Sequence, residues 1–196
     1  MVRRKVGKNI SPVDWEYHLA WEFKIEFDKR AKNMNWNSNR SWTAMMLKRK
    51  TGIFEKIRNK MGTYFRLELL MDKEFMRDAV WYTEDHGKLG SEFREKEWHI
   101  HNVIEVENEW NTIRSEILQL FHIRTKHRTA VFYPPKNITI QDAIDKISDL
   151  IPRRCYKPDD KLLVILIPEE DLKPVFYRLI NNGNGEPFFH QIKLND

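Results

Sequence analysis

The second half of the sequence alternates strand-like segments with helix-like segments. Residues 98–108, 129–133 and 162–167 have the length and apolar content of strands, and residues 108–120 and 139–151 between them place apolar side chains at helical spacing. The last strand segment is a continuous apolar run, which is typical of a strand covered on both faces. This alternation predicts an α/β domain whose mixed, partly parallel central sheet is flanked by helices.

Two helices and a pair of strands are predicted before this region. Helical spacing over residues 12–30 and 41–61 predicts two N-terminal helices, with Gly62 ending the second. Two strands are predicted over residues 64–71 and 75–82, and a last helix over residues 172–180. The chain is predicted to be one domain with a basic helical part (1–62), a sheet-containing core (63–168) and a C-terminal extension (169–196).

The net charge of +5 is unevenly distributed along the chain. Residues 1–66 have 16 Lys and Arg against 6 Asp and Glu, whereas residues 67–196 have 18 against 23. A basic segment of this kind indicates either a polyanion partner or a solvated surface. Trp15, Trp21 and Trp42 in this segment fit a buried core better than base stacking, whereas Trp36 is expected to be exposed. The candidate nucleic-acid-binding residues are Trp36, Lys48, Arg49, Lys50, Lys56, Arg58 and Lys60.

Composition excludes several classes of protein. With 41% hydrophobic and 32% charged residues, the chain is expected to fold rather than to be disordered. The apolar run at residues 162–167 is too short to span a bilayer, so no membrane partner is expected. The single cysteine, Cys155, and the lack of a signal-like N-terminus predict a cytoplasmic protein. No GxSxG, Walker or dinucleotide-binding motif occurs in the sequence.

The segment 98–108 places two acids on one face of a strand. Its even positions are mostly apolar and its odd positions mostly polar, so Glu105 and Glu107 point the same way. Neighbouring carboxylates repel each other unless a cation lies between them, and Mg²⁺ or Mn²⁺ prefers such oxygen ligands. Asp78, inside an apolar segment, is the candidate third acid. An ordinary solvated strand face would show the same alternation, and this alternative stays open.

Two histidines fall on the same face of this strand. His99 and His101 could bind zinc together with a carboxylate or Cys155. No CxxC or HExxH motif supports a zinc site, however. The histidines are therefore expected to line the mouth of the carboxylate pocket or to contact a phosphate.

One predicted strand has an acid, the next has the motif E-x-E, and a helix and a short hydrophobic strand follow. This order resembles the PD-(D/E)XK nuclease-like superfamily. The resemblance covers about residues 64–133 and is carried by Asp78 and residues 104–108, 116–120 and 130–133. E-x-E in place of E-x-K is similar to BamHI-type restriction enzymes and to uncharacterised members of the superfamily. A restriction endonuclease-like fold is what this resemblance implies.

The resemblance also implies roles for individual residues. Asp78 and Glu105 would be metal ligands, and Glu107 would be a general base or a further ligand. Glu107 stands where most members have a lysine, a departure that puts catalysis in doubt more than the fold. Glu68 would be a fourth acid, and Gln119 a supporting residue on the following helix.

Three functions follow from these features. The first is a nuclease or nuclease-like protein that hydrolyses nucleic-acid phosphodiester bonds with Mg²⁺ or Mn²⁺, with DNA the favoured substrate. The second is a catalytically inactive module of the same fold that binds nucleic acid or a protein partner. The third is an interaction protein whose acidic strand is unrelated to metal. Members of the superfamily often act as dimers, so the resemblance allows a homodimer.

Overall fold

A seven-stranded mixed sheet forms the centre of the computed structural model. The structure describes residues 14–32, 39–72, 78–85, 97–152, 159–181 and 187–194. Trp36 and Cys155 lie outside these ranges. The strands follow one another in chain order across the sheet, as β1 (Leu70–Asp72), β2 (Ala79–Asp85), β3 (Glu97–Glu107), β4 (His127–Phe132), β5 (Lys161–Leu166), β6 (Val175–Asn181) and β7 (Pro187–Ile192).

The three central strands are parallel, and the outer pairs are antiparallel. β3 pairs in parallel with β4, and β4 pairs in parallel with β5. β1, β2 and β3 are antiparallel neighbours, as are β5, β6 and β7. Parallel neighbours need a crossover, and helices α4 (Ile113–His122) and α5 (Ile140–Leu150) supply the two crossovers. The predicted α/β class and the mixed sheet are therefore confirmed.

Helices cover both faces of the sheet. On one face lie α1 (Trp15–Ala31), α2 (Asn39–Leu47) and α3 (Ile53–Phe65), and on the other lie α4 and α5. Ile104 of β3 packs in the cluster with α1–α3, whereas its neighbour Val103 packs in the cluster with α4 and α5. Residues 162–166 are at most 1% exposed, which explains the continuous apolar run in the sequence.

Trp15 and Trp42 belong to the core on the α1–α3 face. Their exposed fractions are 4% and 3%, so the buried-core interpretation of these two side chains is confirmed. Trp21 of α1, for which a buried position was also expected, is only half-buried. The predicted cap of α5 is also confirmed, because the Thr139 hydroxyl accepts a hydrogen bond from the Asp142 N–H at 3.1 Å. Within the described ranges, no helix is both long and apolar enough to cross a membrane.

The N-terminal part contains three helices rather than the two predicted. Gly52 separates α2 from α3 and is the N-cap of α3. Gly62 does not end that helix but lies inside its last turn. A Cβ at Gly62 would stand 2.6 Å from the Leu67 carbonyl oxygen, so the glycine lets the chain turn back closely after the helix. Arg66 ends α3 in a left-handed conformation with φ of 55°.

Two predicted elements have a different structure. The strand expected over residues 64–71 is reduced to the three residues of β1, because α3 continues to Phe65. The helix expected over residues 172–180 is the strand β6. Its β-branched and aromatic residues pack well in a sheet, and β6 pairs with β5 on one side and β7 on the other.

Candidate metal and nucleic-acid site

Asp78 and Glu105 lie side by side where β2 begins beside β3. The antiparallel register pairs Ala79 with Ile104, which makes Asp78 the neighbour of Glu105. The Val106 N–H donates a hydrogen bond to Asp78 Oδ2 at 2.7 Å, and the Asp78 N–H lies 3.4 Å from Glu105 Oε2. Each acid is thus held against the backbone of the other strand. The structure brings together two of the three acids that the sequence singled out.

Glu105 is a buried carboxylate. Its exposed fraction is 2%, and Val103, two residues earlier on β3, packs in the cluster with α4 and α5. The solvated strand face considered from the sequence therefore does not describe Glu105. A buried charge is costly unless opposite charge, hydrogen bonds or a metal compensates it. The Asp78 N–H, which points to Glu105 Oε2, is one part of that compensation.

Glu107, the third acid, makes a different contact. Its Oε1 accepts a hydrogen bond from the Glu109 N–H at 2.6 Å, where the chain leaves β3. Among the residues that the structure describes, no three or more His, Cys, Asp or Glu side chains are grouped so as to hold a metal. The described geometry thus offers a pair of carboxylates, Asp78 and Glu105, with Glu107 two residues further along β3.

The supporting residues are dispersed. Glu68 is exposed in the connection between α3 and β1 and lines a cavity with Arg66. Gln119 is half-buried on α4, the helix after β3 on which it was expected. Neither of the two lines the cavity that contains Asp78.

The two histidines lie far from the acids. A strand rises about 3.3 Å per residue, so His99 is roughly 20 Å along β3 from Glu105, and His101 roughly 13 Å. His99 lines a separate cavity of about 710 Å³ near the start of β4. His101 lies 3.1 Å from the Thr83 hydroxyl, and burial together with His99 lowers the pKa of His101. Neither histidine is among the residues that line the cavity beside Asp78, and their expected alternative contact with a phosphate stays a prediction.

Several of the basic residues lie beside Asp78, a position that the sequence could not predict. Lys48, Arg49 and Lys50, in the connection between α2 and α3, line a cavity of about 750 Å³ together with Arg58 and Asp78. The three consecutive cations are exposed, and none has an ion-pair partner in the part of the chain that the structure describes. Arg58 is 3.1 Å from Glu55, which also lines the cavity.

The other candidate cations do not line this cavity. Lys56 is exposed on α3. Lys60 points to α1, where its Nζ lies 2.5 Å from Glu22 Oε2 and 3.2 Å from Glu26 Oε1. The charge of Lys60 is therefore used within the fold, to join α3 to α1.

No protein-family model matches the chain, and no curated protein matches it. The chemistry of the site must be inferred from its own residues. The cavity is lined by four cationic side chains and the carboxylates of Glu55 and Asp78, so positive charge is in excess. Such a cavity can attract a phosphate-bearing ligand. Of the two paired carboxylates, Asp78 lines the cavity and Glu105 does not, and together they offer oxygen ligands to a hard cation.

Proposed function

We propose that the chain is a metal-dependent nuclease or nuclease-like protein of the PD-(D/E)XK kind, acting on nucleic-acid phosphodiester bonds. The single observation that carries this proposal is the pairing of Asp78 with Glu105 beside a cavity lined by Lys48, Arg49, Lys50 and Arg58. A restriction endonuclease-like fold is part of the proposal. It is supported by the acid before β2, the E-x-E on β3, and the helix and strand that follow.

Asp78 and Glu105 have side chains suited to bind a magnesium or manganese ion. Both offer carboxylate oxygens, and Mg²⁺ is commonly held by one or two protein carboxylates, with waters completing its shell. When bound, the ion would make a water more acidic and neutralise charge on the phosphate oxygens. The hydrogen bond from the Val106 N–H fixes the Asp78 carboxylate, and the cations at the mouth attract the phosphate.

The role of Glu107 differs between the proposed nuclease and the catalytically inactive module. In the active protein, Glu107 accepts the proton of the attacking water in place of the lysine of most family members. One observation favours the inactive module, which would bind nucleic acid or a protein partner without cleaving. The Glu107 carboxylate already accepts a hydrogen bond from the Glu109 N–H at 2.6 Å.

Thermal unfolding in the presence of MnCl₂ or MgCl₂ tests the metal site. An ion at one hundred times its Kd is expected to stabilise the wild type by about 2.7 kcal/mol. Glu105→Gln keeps the shape of the side chain but removes its charge, and should abolish the metal effect. Asp149→Asn, at an exposed position on α5, is the matched control and should respond as the wild type does. An equal response of Glu105→Gln and the wild type would contradict the metal site.

Cleavage of plasmid DNA and of DNA and RNA oligonucleotides then tests the nuclease activity. The active protein should cleave with Mg²⁺ or Mn²⁺, and Asp78→Asn should lose cleavage while Asp149→Asn retains it. Equal cleavage by the wild type and Asp78→Asn would identify a contaminant. Metal binding without cleavage of any substrate would select the inactive module instead.

A further inference from the structure

The cavity beside Asp78 has an apolar wall as well as a basic mouth. Leu70 and Tyr82 lie directly opposite each other across β1 and β2, and both line the cavity. Leu47 and Met71 extend this apolar surface. The cations of the α2–α3 connection line the same cavity. A ligand that satisfies both surfaces needs an anionic group and a flat or apolar group close together.

We infer that this cavity takes an unstacked nucleotide of a single strand, so that single-stranded nucleic acid rather than a duplex is the ligand. A duplex presents phosphates and sugars on its outside and keeps the faces of its bases stacked, so the apolar wall would contribute nothing to binding it. A single strand can turn a base into a cavity while neighbouring phosphates contact cations. The inference rests on the proposed nucleic-acid function.

The size of the cavity supports a ligand of this kind. Its volume of about 750 Å³ falls within the range of roughly 300–1,000 Å³ that is typical of small-molecule sites, which is the scale of a nucleotide. Lys48, Arg49 and Lys50 are exposed at consecutive positions, so they can follow the backbone of a strand that enters the cavity. Gly52 allows this connection to pack tightly, because a Cβ there would lie 2.6 Å from the Lys48 nitrogen.

Fluorescence anisotropy with EDTA present measures binding independently of any metal. The probes are a labelled 12-mer of thymidine, its duplex with adenosine, a uridine 12-mer, and an abasic chain of equal length. The single strands should bind more tightly than the duplex at equal salt. Removing the bases should weaken binding at least about five-fold, the low end for loss of one stacked base. The thymidine and uridine probes separate DNA from RNA as the source of the strand.

Charge variants test whether the basic mouth holds the strand. The triple variant combines Lys48→Gln, Arg49→Gln and Lys50→Gln. Its slope of log Kd against the logarithm of the salt concentration, measured with the single strand, should be about 2 smaller than that of the wild type. Each phosphate contact to a single strand contributes about 0.7 to this slope. A control variant carries the same charge change at remote exposed positions, namely Lys136→Gln, Lys173→Gln and Lys193→Gln. Its salt dependence should stay close to that of the wild type.

The outcomes separate this inference from the proposed function. Tighter binding of the duplex, equal binding of the abasic and intact chains, or an equal effect of the two triple variants would overturn the inference. Metal-dependent cleavage of duplex DNA would still support the proposed nuclease in that case. Conversely, preferential single-strand binding in EDTA without metal-dependent cleavage would support the inference and remove the catalytic function.

Discussion

His127 should make the protein less stable in mild acid. This first residue of β4 stacks on the ring of Trp15, with centroids 4.7 Å apart and planes inclined by 20°. Its Nδ1 is buried and has no hydrogen-bond partner among the residues that the structure describes. Burial, together with the charges of Lys126, His101 and Lys161 and a smaller effect of Arg128, lowers the pKa of His127 to about 3. The imidazole therefore stays neutral in the folded protein over most of the acid range.

The size of the effect follows from the two pKa values of His127. Unfolding restores its ordinary pKa of 6.5, so below pH 6.5 the unfolded chain binds a proton that the folded protein does not. The free energy of unfolding therefore falls as the pH drops from 6.5 towards 3. Each pKa unit corresponds to about 1.36 kcal/mol, so His127 should remove about 2.7 kcal/mol between pH 7.5 and pH 4.5.

Urea unfolding at pH 7.5, 6.0 and 4.5 measures this loss. His127→Phe keeps an aromatic ring against Trp15 but cannot bind a proton. Between pH 7.5 and pH 4.5, the loss in its free energy of unfolding should therefore be about 2.7 kcal/mol smaller than the loss in the wild type. His122→Phe, at an exposed position on α4, is the matched control and should lose as much as the wild type. Identical pH dependence of His127→Phe and the wild type would refute the reasoning, as would an NMR titration of His127 with a midpoint near pH 6.5.

Two other substitutions test the helices of the α1–α3 face. Burial alone would raise the pKa of Glu26, but side-chain hydrogen bonds from Lys29 and two further cations lower it to about 2 from 4.5. Glu26→Gln should therefore cost up to about 3 kcal/mol at pH 7, measured by urea unfolding, and this difference should shrink as the pH falls from 4.5 to 2. Gly62→Ala should lower Tm, because the added methyl group would crowd the Leu67 carbonyl, and overpacking costs about 1–3 kcal/mol. The higher helix propensity of alanine stabilises the helix by at most about 1 kcal/mol. Thr63→Ala, at the adjacent exposed position, should not lower Tm, and an unchanged Tm for Gly62→Ala would contradict the close approach of the chain.

The elements with a local signal were predictable. The strand expected over residues 98–108 is β3, displaced by one residue, because its alternation and flanking polar residues lie within one segment. The buried run that forms β5 and the Thr139 cap of α5 are equally local. In each case the residues that determine the element are its own or its immediate neighbours.

The elements without a local signal were not predictable. Whether residues 175–181 form a helix or a strand depends on β5 and β7, which offer hydrogen-bond partners on both sides. Tertiary contacts of this kind override weak local propensity. Likewise, the alternation of β3 correctly placed Glu105 on one face but could not show that α4 and α5 cover that face. The burial of Glu105 is a property of the assembled layers.

The site itself combines a local and a distant component. Asp78 and Glu105 could be paired from the sequence because β2 and β3 are neighbours along the chain. The closeness of Lys48, Arg49 and Lys50 to Asp78 could not be predicted, because it depends on how α2 and α3 pack over the edge of the sheet. The positive charge of the N-terminal part predicted a polyanion partner, but it could not show where these cations lie in the fold.

Charges in that basic segment have two distinct structural roles. Lys60 contacts Glu22 and Glu26, which fixes α3 against α1 by an ion-pair network that is partly buried. Two residues earlier on the same helix, Arg58 turns to the cavity that Asp78 also lines. Because α3 is held in this way, the connection before it is positioned beside β1 and β2, with its three cations exposed. Under the proposed function, neutralising Lys60 should therefore weaken nucleic-acid binding only through stability, whereas neutralising Lys48, Arg49 and Lys50 should weaken that binding without unfolding the protein.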